Sequence, residues 1–201
     1  SEDFETYAEE AALQTHKNWM ENAEINVETD NTASQGTQME AYFKDTQGSP
    51  YNALYYMYVN PGSGLSGWSV EYKITWNGGT NNQAFFHAYA GSSQIFQIKV
   101  DSTGDVKILE NGGSSWEDVC EFGDTTCLSL TGEKQYTFLL RKITCDVYLL
   151  SVIETSTGEL KAYHFHDGEV NDQLQDVSRV GFHTSSSGYA DFYIDDIVVH
   201  S

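Results

Sequence analysis

Two adjacent carboxylates, Asp195 and Asp196, interrupt an otherwise apolar segment near the end of the chain. Residues 191–199 are mostly β-branched or aromatic, which is typical of a strand, and side chains alternate faces along a strand. One carboxylate is therefore expected to point toward the core, where an ionised oxygen without a partner costs several kcal/mol. The acidic segment Asp3-Phe4-Glu5 could lie beside this strand and share a metal ion with it. Alternatively, both aspartates flank the rim of a sheet and bond to backbone or solvent.

A second group of side chains has the chemistry of a glycan site. Flat aromatic rings pack against pyranose rings, and fixed polar groups read the hydroxyls. Glu71 and Lys73 alternate with apolar residues and occupy the polar face of a predicted strand, while His87 and Tyr89 share one face of the next strand. The alternative for each aromatic side chain is ordinary packing within the core. We expect the following candidates to border one area: Glu71, Lys73, His87, Tyr89, Trp116 and Arg141.

The elements that would position these residues are short strands. Runs of alternating or β-branched residues recur about every ten positions and are separated by turns rich in Gly, Asn, Asp and Ser. With no βαβ periodicity, this rhythm predicts an all-β, antiparallel two-sheet β-sandwich (jelly roll) formed by one domain, residues 1–201. Residues 7–22 form either one short N-terminal helix or a loop that brings Trp19 to the edge of the core. The predicted strands cover about 25–28, 39–43, 52–60, 68–76, 83–90, 95–101, 106–110, 135–142, 147–154, 159–166, 177–184 and 191–199.

The charge balance restricts the classes of partner. The chain has 30 acidic and 10 basic residues among 201, a formal charge of −20. This charge repels phosphate backbones and anionic lipids, so nucleic-acid binding and membrane insertion are not expected. It attracts cations and suits a salty or calcium-containing medium. No apolar run approaches the roughly 20 residues of a membrane-spanning helix, and the sequence predicts a soluble protein, secreted or at the cell surface.

The three cysteines leave one pairing question open. Cys120 and Cys127 bracket a short loop in which Gly123 suits a turn, so they either close a hairpin as a disulfide or remain thiols. Cys145 would then be a free thiol. Zinc binding is not expected because zinc requires four converging nitrogen or sulfur ligands.

A pattern of strands extends over nearly the whole chain, in segments 3–5, 68–74, 96–108, 136–140, 147–152, 180–183 and 193–197. Together these segments resemble the concanavalin A-like lectin/glucanase jelly rolls. This superfamily includes laminin-G-like domains, legume-type lectins, carbohydrate-binding modules, glycanases and polysaccharide lyases. The ending Ile194-Asp-Asp-Ile with an initial Phe4-Glu5 is similar to calcium-carrying carbohydrate-binding modules, where the ion lies between the first and last strands. The resemblance implies Glu5 and Asp196 as leading ligands and Asp3 and Asp195 as reserves.

Catalysis has less support in the sequence. Retaining glycanases place two carboxylates about 5 Å apart on one strand face, and the chain has no comparable strand cluster. His87, Tyr89, Lys73 and Arg141 are residue types that a polysaccharide lyase uses, but the negative surface discourages a polyanionic substrate.

The function expected from the sequence is therefore an extracellular, non-catalytic, lectin-like module with a structural calcium ion and a polysaccharide or glycan as its partner. One alternative is a subunit of a surface adhesin or extracellular fibre, which would contact other copies of itself or neighbouring surface proteins. A second alternative is a polysaccharide lyase or glycoside hydrolase on the same fold.

Overall fold

The computed structural model describes a large part of the chain, in twelve ranges. They are residues 19–21, 26–29, 39–45, 53–57, 69–78, 82–90, 93–110, 115–121, 125–143, 147–167, 179–184 and 190–200. Within them the chain forms fourteen strands. In chain order these are β1 (Trp19–Glu21), β2 (Asn26–Thr29), β3 (Met39–Asp45), β4 (Ala53–Met57), β5 (Ser69–Trp76), β6 (Ala84–Ala90), β7 (Ser93–Val100), β8 (Val106–Glu110), β9 (Glu117–Asp118), β10 (Lys134–Lys142), β11 (Val147–Glu154), β12 (Glu159–Asp167), β13 (Arg179–His183) and β14 (Ala190–His200).

The strands form two seven-stranded antiparallel sheets, which confirms the predicted all-β sandwich. Sheet 1 has the order β1-β4-β13-β6-β7-β8-β9, and sheet 2 has the order β12-β11-β10-β5-β14-β3-β2. Of the two alternatives for residues 7–22, a helix or a loop, the helix is wrong for residues 19–21, which pair with β4 as strand β1. The rest of that segment lies outside the described residues. Among the described residues, no helix is long and apolar enough to cross a membrane.

The core lies between the two sheets and follows from strand alternation. Val70, Tyr72 and Ile74 of β5 belong to one buried cluster, as the alternating sequence predicts. The Tyr72 ring lies 4.8 Å from the Phe86 ring and 5.1 Å from the Phe182 ring, both of which belong to sheet 1. The inward faces of β5 and β6 therefore pack against each other through aromatic contacts. Their outward faces lie on opposite sides of the sandwich.

The β7–β8 hairpin turns where the sequence predicts it, at residues 101–105. Asp101 Oδ1 accepts the backbone N–H groups of Thr103 and Asp105 at 3.0 and 3.2 Å, and Lys107 Nζ lies 3.0 Å from Asp101 Oδ2. Although burial raises the pKa of Asp101, the Thr103 hydrogen bonds and Lys107 hold it below its ordinary value. The Asp101 carboxylate therefore stabilises the turn and pairs with Lys107.

Gly104 in this turn is required for steric reasons. Its φ is +90°, and a Cβ atom would lie 2.7 Å from the Leu130 carbonyl oxygen and 3.0 Å from the Trp76 ring. A side chain at this position would push apart the turn and the segment that packs on it.

A strap links the two sheets at one side of the sandwich. We use this name for residues 117–121 and 125–128, which run antiparallel to each other. The Val119 amide donates to Val106 O at 2.9 Å, which ties the strap to sheet 1. Glu121 forms a bridge with Ala162 of β12, the edge strand of sheet 2. The strap therefore covers part of that edge.

Candidate functional site

The outward face of sheet 1 carries a cluster of ring-bearing side chains. Phe86 and Ala88 of β6 belong to the core. Because side chains alternate along a strand, Phe85, His87 and Tyr89 point away from the core.

The strand register extends this face on both sides of β6. On β13, His183 is opposite Phe85. On β7, Lys99 is opposite Phe85 and Gln97 is opposite His87. Trp116, which precedes β9, joins them because its ring lies 6.2 Å from the Phe85 ring. We call this set the sheet 1 site: Phe85, His87, Tyr89, Gln97, Lys99, Trp116 and His183.

The two histidines of the sheet 1 site are hydrogen-bonded to each other. His183 Nε2 lies 2.5 Å from His87 Nε2. His183 Nδ1 lies 2.9 Å from the Thr184 carbonyl oxygen, which can only accept, so Nδ1 carries the hydrogen and the neutral ring accepts at Nε2. His183 Nε2 also lies 3.1 Å from His87 Nδ1, and the same Nδ1 lies 2.7 Å from the Tyr89 hydroxyl oxygen. The phenol and both imidazoles therefore form one hydrogen-bonded group that ends at the backbone of Thr184.

Burial keeps both imidazoles uncharged. Burial, and then the neighbouring His183, lower the pKa of His87 to about 2, against a smaller opposite effect of Gln97. Burial also lowers the pKa of His183 to about 4, although the hydrogen bond to the Thr184 carbonyl opposes this shift. Both rings are only 5% exposed. At pH 7 both histidines are therefore polar but uncharged, and they lie beneath the more accessible groups of the site.

The accessible part of the sheet 1 site combines aromatic and cationic groups. The Phe85 ring stacks on His183 at 4.7 Å with an interplanar angle of 7°. Lys99 Nζ lies 4.3 Å from the Trp116 ring centroid, a cation–π geometry that fixes the indole. Burial lowers the pKa of Lys99, and the nearby Asp101 carboxylate opposes the shift. Trp116 and Lys99 are half-buried. A half-buried indole beside a hydrogen-bond donor has the chemistry needed to hold a sugar ring.

The structure divides the residues predicted to bind a glycan between the two sheets. His87, Tyr89 and Trp116 lie at the sheet 1 site. Glu71 on β5 is opposite Leu139 of β10, whereas the core residues Tyr72 and Phe138 occupy the next register position. The side chains of Glu71, Lys73 and Arg141 therefore share the outward face of sheet 2, on the other side of the sandwich. A single area containing all six predicted residues does not exist in this fold.

The adjacent aspartates are accommodated by a β-bulge. The register of β14 with β5 shifts between Asp195 and Val198, and Asp196 has φ +48°. Ile194 and Ile197 are both buried in the core although their spacing would place them on opposite faces of a regular strand. The bulge inserts one residue between them, so the expectation that one carboxylate points into the core is wrong.

Both carboxylates instead face the side of sheet 2 that carries Lys73. Asp196 Oδ2 forms an ion pair with Lys73 Nζ, and Asp195 is opposite Lys73 in the register. Asp195 is 2% exposed, and its Oδ1 accepts the Asp196 backbone N–H at 2.7 Å. Asp196 shares its charge with the Lys73 ammonium group, which would repel a calcium ion bound at the same carboxylate.

The remaining predicted ligands, Asp3 and Glu5, lie outside the described residues. Among the described residues no group of three or more His, Cys, Asp or Glu side chains could hold a metal ion. Carboxylate oxygens are the donors that calcium prefers, so the chemistry of Asp195 fits calcium, and a complete ligand shell needs further oxygen donors.

The sequence prediction missed His183, Gln97, Lys99 and Phe85 as members of the site. The segment that ends in His183 was recognised as a strand, but nothing in its own pattern indicates that β13 lies next to β6. The pairing joins residues that are far apart in the chain, as between His183 and His87. Alternation identifies which face a side chain occupies, and only the strand order identifies its neighbours.

The comparisons with known proteins agree with this architecture. A scan against protein-family models and a search of curated proteins gave no match. Among solved structures, the T. cruzi calreticulin globular domain superposes with a TM-score of 0.64 at 10% identity, covering 99% of this chain and 86% of that one. The VIP36 exoplasmic/lumenal domain in a Ca2+/Man-bound form gives 0.59 at 10% identity, over 92% and 83% of the chains. Lectin II from Ulex europaeus gives 0.56 at 9% identity, over 96% of each.

Another neighbour shows that the same unit also occurs within a much longer protein. A sialidase matches with a TM-score of 0.59 at 11% identity, and the match covers 99% of this chain but only 19% of the sialidase.

These superpositions and the strand order define a β-sandwich of the jelly-roll class. More narrowly, the chain has the concanavalin A-like lectin/glucanase fold, as its resemblance to that superfamily implied. At sequence identities of 9 to 10%, these superpositions establish the fold alone. The function has to be argued from the site.

Proposed function

We propose that the chain is a non-catalytic carbohydrate-binding domain that binds a neutral glycan at the sheet 1 site. The observation that carries the proposal is the half-buried Trp116 indole, which contacts Lys99 and the edge of an aromatic stack formed by Phe85 and His183. An indole of this kind offers an apolar surface to one pyranose ring, and Lys99 and Gln97 offer polar groups to its hydroxyls. The formal charge of −20 favours a neutral glycan over a polyanion.

The fold neighbours give independent support at the level of class. One of them is a lectin, lectin II from Ulex europaeus, and another is the VIP36 domain in its Ca2+/Man-bound form. A lumenal or extracellular location, already favoured by the charge of the chain, is part of the same proposal.

A glycan array followed by affinity electrophoresis on the selected polysaccharide tests the proposal. Trp116→Ala should weaken retention about tenfold, because a stacked aromatic ring contributes on the order of 1 kcal/mol or more beyond its buried area. Lys99→Gln should weaken it less. Arg141→Gln and Glu71→Gln, on the outward face of sheet 2, are matched controls and should retain full binding. Loss of binding in the sheet 2 variants with wild-type retention of Trp116→Ala would place the glycan on the other sheet.

We also propose that a calcium ion stabilises the bulge of β14. Asp195, which is 2% exposed, and Asp196, which pairs with Lys73, are the candidate ligands among the described residues. Glu5 and Asp3 would supply further oxygens. Calcium bound there would neutralise carboxylate charge in the middle of the last strand and would raise the free energy of unfolding by mass action.

One observation favours an enzyme as the second candidate function. The Tyr89, His87 and His183 chain contains a phenol and two neutral imidazoles joined by hydrogen bonds, a set that can move a proton. Such a group suits a polysaccharide lyase, in which a base removes the proton next to a uronate carboxyl and the glycosidic bond then breaks. Incubation with alginate or glucuronan and measurement of unsaturated-uronate absorbance decides this. An increase in absorbance that Tyr89→Phe abolishes would establish the lyase, and its absence supports the binding domain.

A further inference from the structure

We propose that Cys120 and Cys127 form a disulfide that locks the strap and, through the strap, holds Trp116 over the sheet 1 site. The proposal of a crosslink depends on the backbone geometry of the two cysteines alone. The proposed consequence for glycan binding through Trp116 depends on the proposed function. Both cysteines are thiols in the structure, so oxidation would convert a hydrogen-bonded strap into a covalently closed one.

The backbone places the two residues at the type of position where a crosslink fits. Cys120 is directly opposite Cys127 in an antiparallel bridge. The flanking bonds run from Glu121 N to Thr126 O at 2.8 Å and from Leu128 N to Val119 O at 2.7 Å. Bonds on both sides, and none between the pair itself, define a non-hydrogen-bonded pair. In such pairs the Cα atoms are about 4.5 Å apart, within the range that disulfides span.

The side chains of the pair also have the required direction and access. Directly opposite residues in an antiparallel pair point to the same face. Val119 and Leu128, next to them, are buried, whereas both cysteines are partly exposed and accessible to an exchanging thiol. Cys145, the third cysteine, lies outside the described residues.

The strap connects this pair to the sheet 1 site. Trp116 immediately precedes it, and Lys107 Nζ lies 3.6 Å from the strap residue Asp118. On the other side, Glu117 Oε1 lies 3.8 Å from His164 Nε2 on β12. These contacts, the bridge to Ala162 and the backbone bonds of Val106 to Val119 and Leu128 are all noncovalent. A strap held in this way opens more easily than one that is closed covalently, because the crosslink removes conformations from the opened state.

The chemistry requires a disulfide donor, and we infer thiol–disulfide exchange with a small-molecule disulfide such as oxidised glutathione. One cysteine thiolate attacks the donor, releasing one thiol and forming a mixed disulfide. The second cysteine then displaces the second thiol as the Sγ–Sγ bond forms, and the two cysteine protons go to solvent or to the released thiolates. Partial burial and the Asp118 charge raise the pKa of Cys127, so the exchange is best carried out near pH 8.5, where more thiolate is present.

The test uses the full chain with Cys145→Ser, which leaves only the pair. After exchange with oxidised glutathione, the intact mass should fall by about 2 Da, and digestion should release a peptide joining Cys120 to Cys127. The melting temperature should exceed that of the Cys120→Ser/Cys127→Ser control by about 5 °C or more, and dithiothreitol should remove the difference. In the protein with all three cysteines, the same crosslinked peptide should dominate.

Retention on the polysaccharide gel should fall severalfold when the oxidised protein is reduced, and the Cys120→Ser/Cys127→Ser control should not respond to reduction. Two thiols that persist after exchange, or a crosslink made mainly to Cys145, would overturn the disulfide. A crosslink that leaves retention unchanged would overturn its link to Trp116. Absence of glycan retention in both redox forms, with the crosslink present, would refute the glycan site and leave the disulfide intact.

Discussion

The buried histidine pair makes a quantitative prediction about acid stability. In the folded protein the pKa of His183 is lowered to about 4 and that of His87 to about 2, whereas a histidine in the unfolded chain titrates near 6.5. Between pH 7 and pH 5 the unfolded chain binds protons that the folded protein rejects, so stability falls as the pH falls. The loss begins near pH 6.5 and continues until the folded pKa values are reached.

The size of this effect follows from the two pairs of pKa values. Each histidine should contribute a loss of about 2 kcal/mol between pH 7 and pH 5, and both together about 4 kcal/mol if they titrate independently. For a chain of 201 residues, this corresponds to a decrease in melting temperature of roughly 10 °C. The general charge effect has the opposite sign, because acidification toward the isoelectric point near 4.3 relieves the repulsion within a strongly negative protein.

The assay compares free energies of unfolding at pH 7 and pH 5 in the wild type and in the double variant His87→Gln/His183→Gln. The variant should be less stable at pH 7 and should lose about 4 kcal/mol less on acidification, since carboxylates elsewhere contribute equally to both proteins. His200→Gln, at the exposed end of β14, is the control and should keep the wild-type pH dependence. Equal losses in the wild type and the double variant would refute the neutral histidine pair.

Three further predictions concern the packing of the fold and its ion. Gly104→Ala should destabilise the protein by about 3 kcal/mol in urea unfolding, against about 1 kcal/mol for Gly158→Ala, because both residues have positive φ but only Gly104 lacks room for a Cβ. Equal costs would show that the backbone angle alone matters. Asn82→Ala should cost about 3 kcal/mol, since its buried amide makes hydrogen bonds of 2.9 Å to two carbonyls and one N–H. Gln83→Ala, next to it, should cost much less, and a similar cost would contradict a special role for the amide. A chelator should lower the melting temperature of the wild type but not of Asp195→Asn, and an unchanged wild-type midpoint would count against the ion.

The strand pattern was predictable because it is a local property of the sequence. Apolar residues at alternate positions of β5 and β6, separated by turn residues, determine which side chains are buried whatever the partners of each strand are. The ends of β14 and the presence of a turn at 101–105 follow from the same local signals. Residues 19–21 show the limit of this reasoning, because their local composition is compatible with a helix and only pairing with β4 makes them a strand.

The candidate site could be predicted only in part because it depends on strand order. His87 and Tyr89 are two positions apart on one strand, so their common face follows from alternation alone. Lys73 and Arg141 also occupy outward positions, and the same rule cannot tell that they face the other side of the sandwich. The bulge at Asp196 is a further example. A regular strand must turn one of two adjacent carboxylates toward the core. One inserted residue instead keeps both carboxylates on the outward face of sheet 2 and returns Ile197 to the core.

The arrangement of the two outward faces is the reason for proposing the glycan site on sheet 1 rather than on sheet 2. On sheet 2, Lys73 is neutralised by Asp196, and the two charges there satisfy each other. At the sheet 1 site, burial keeps both histidines neutral, and Lys99 lies against the Trp116 indole. The ion pairs of this face belong to Lys107, which is opposite Lys99 and contacts Asp101 and Asp118. Neutral rings cost little to desolvate when a sugar displaces water, whereas paired charges must lose their hydration first. Because the two histidines are neutral in the folded protein, the free energy of unfolding depends on pH. The pH dependence of unfolding therefore tests both the packing of sheet 1 and the uncharged state of the sheet 1 site.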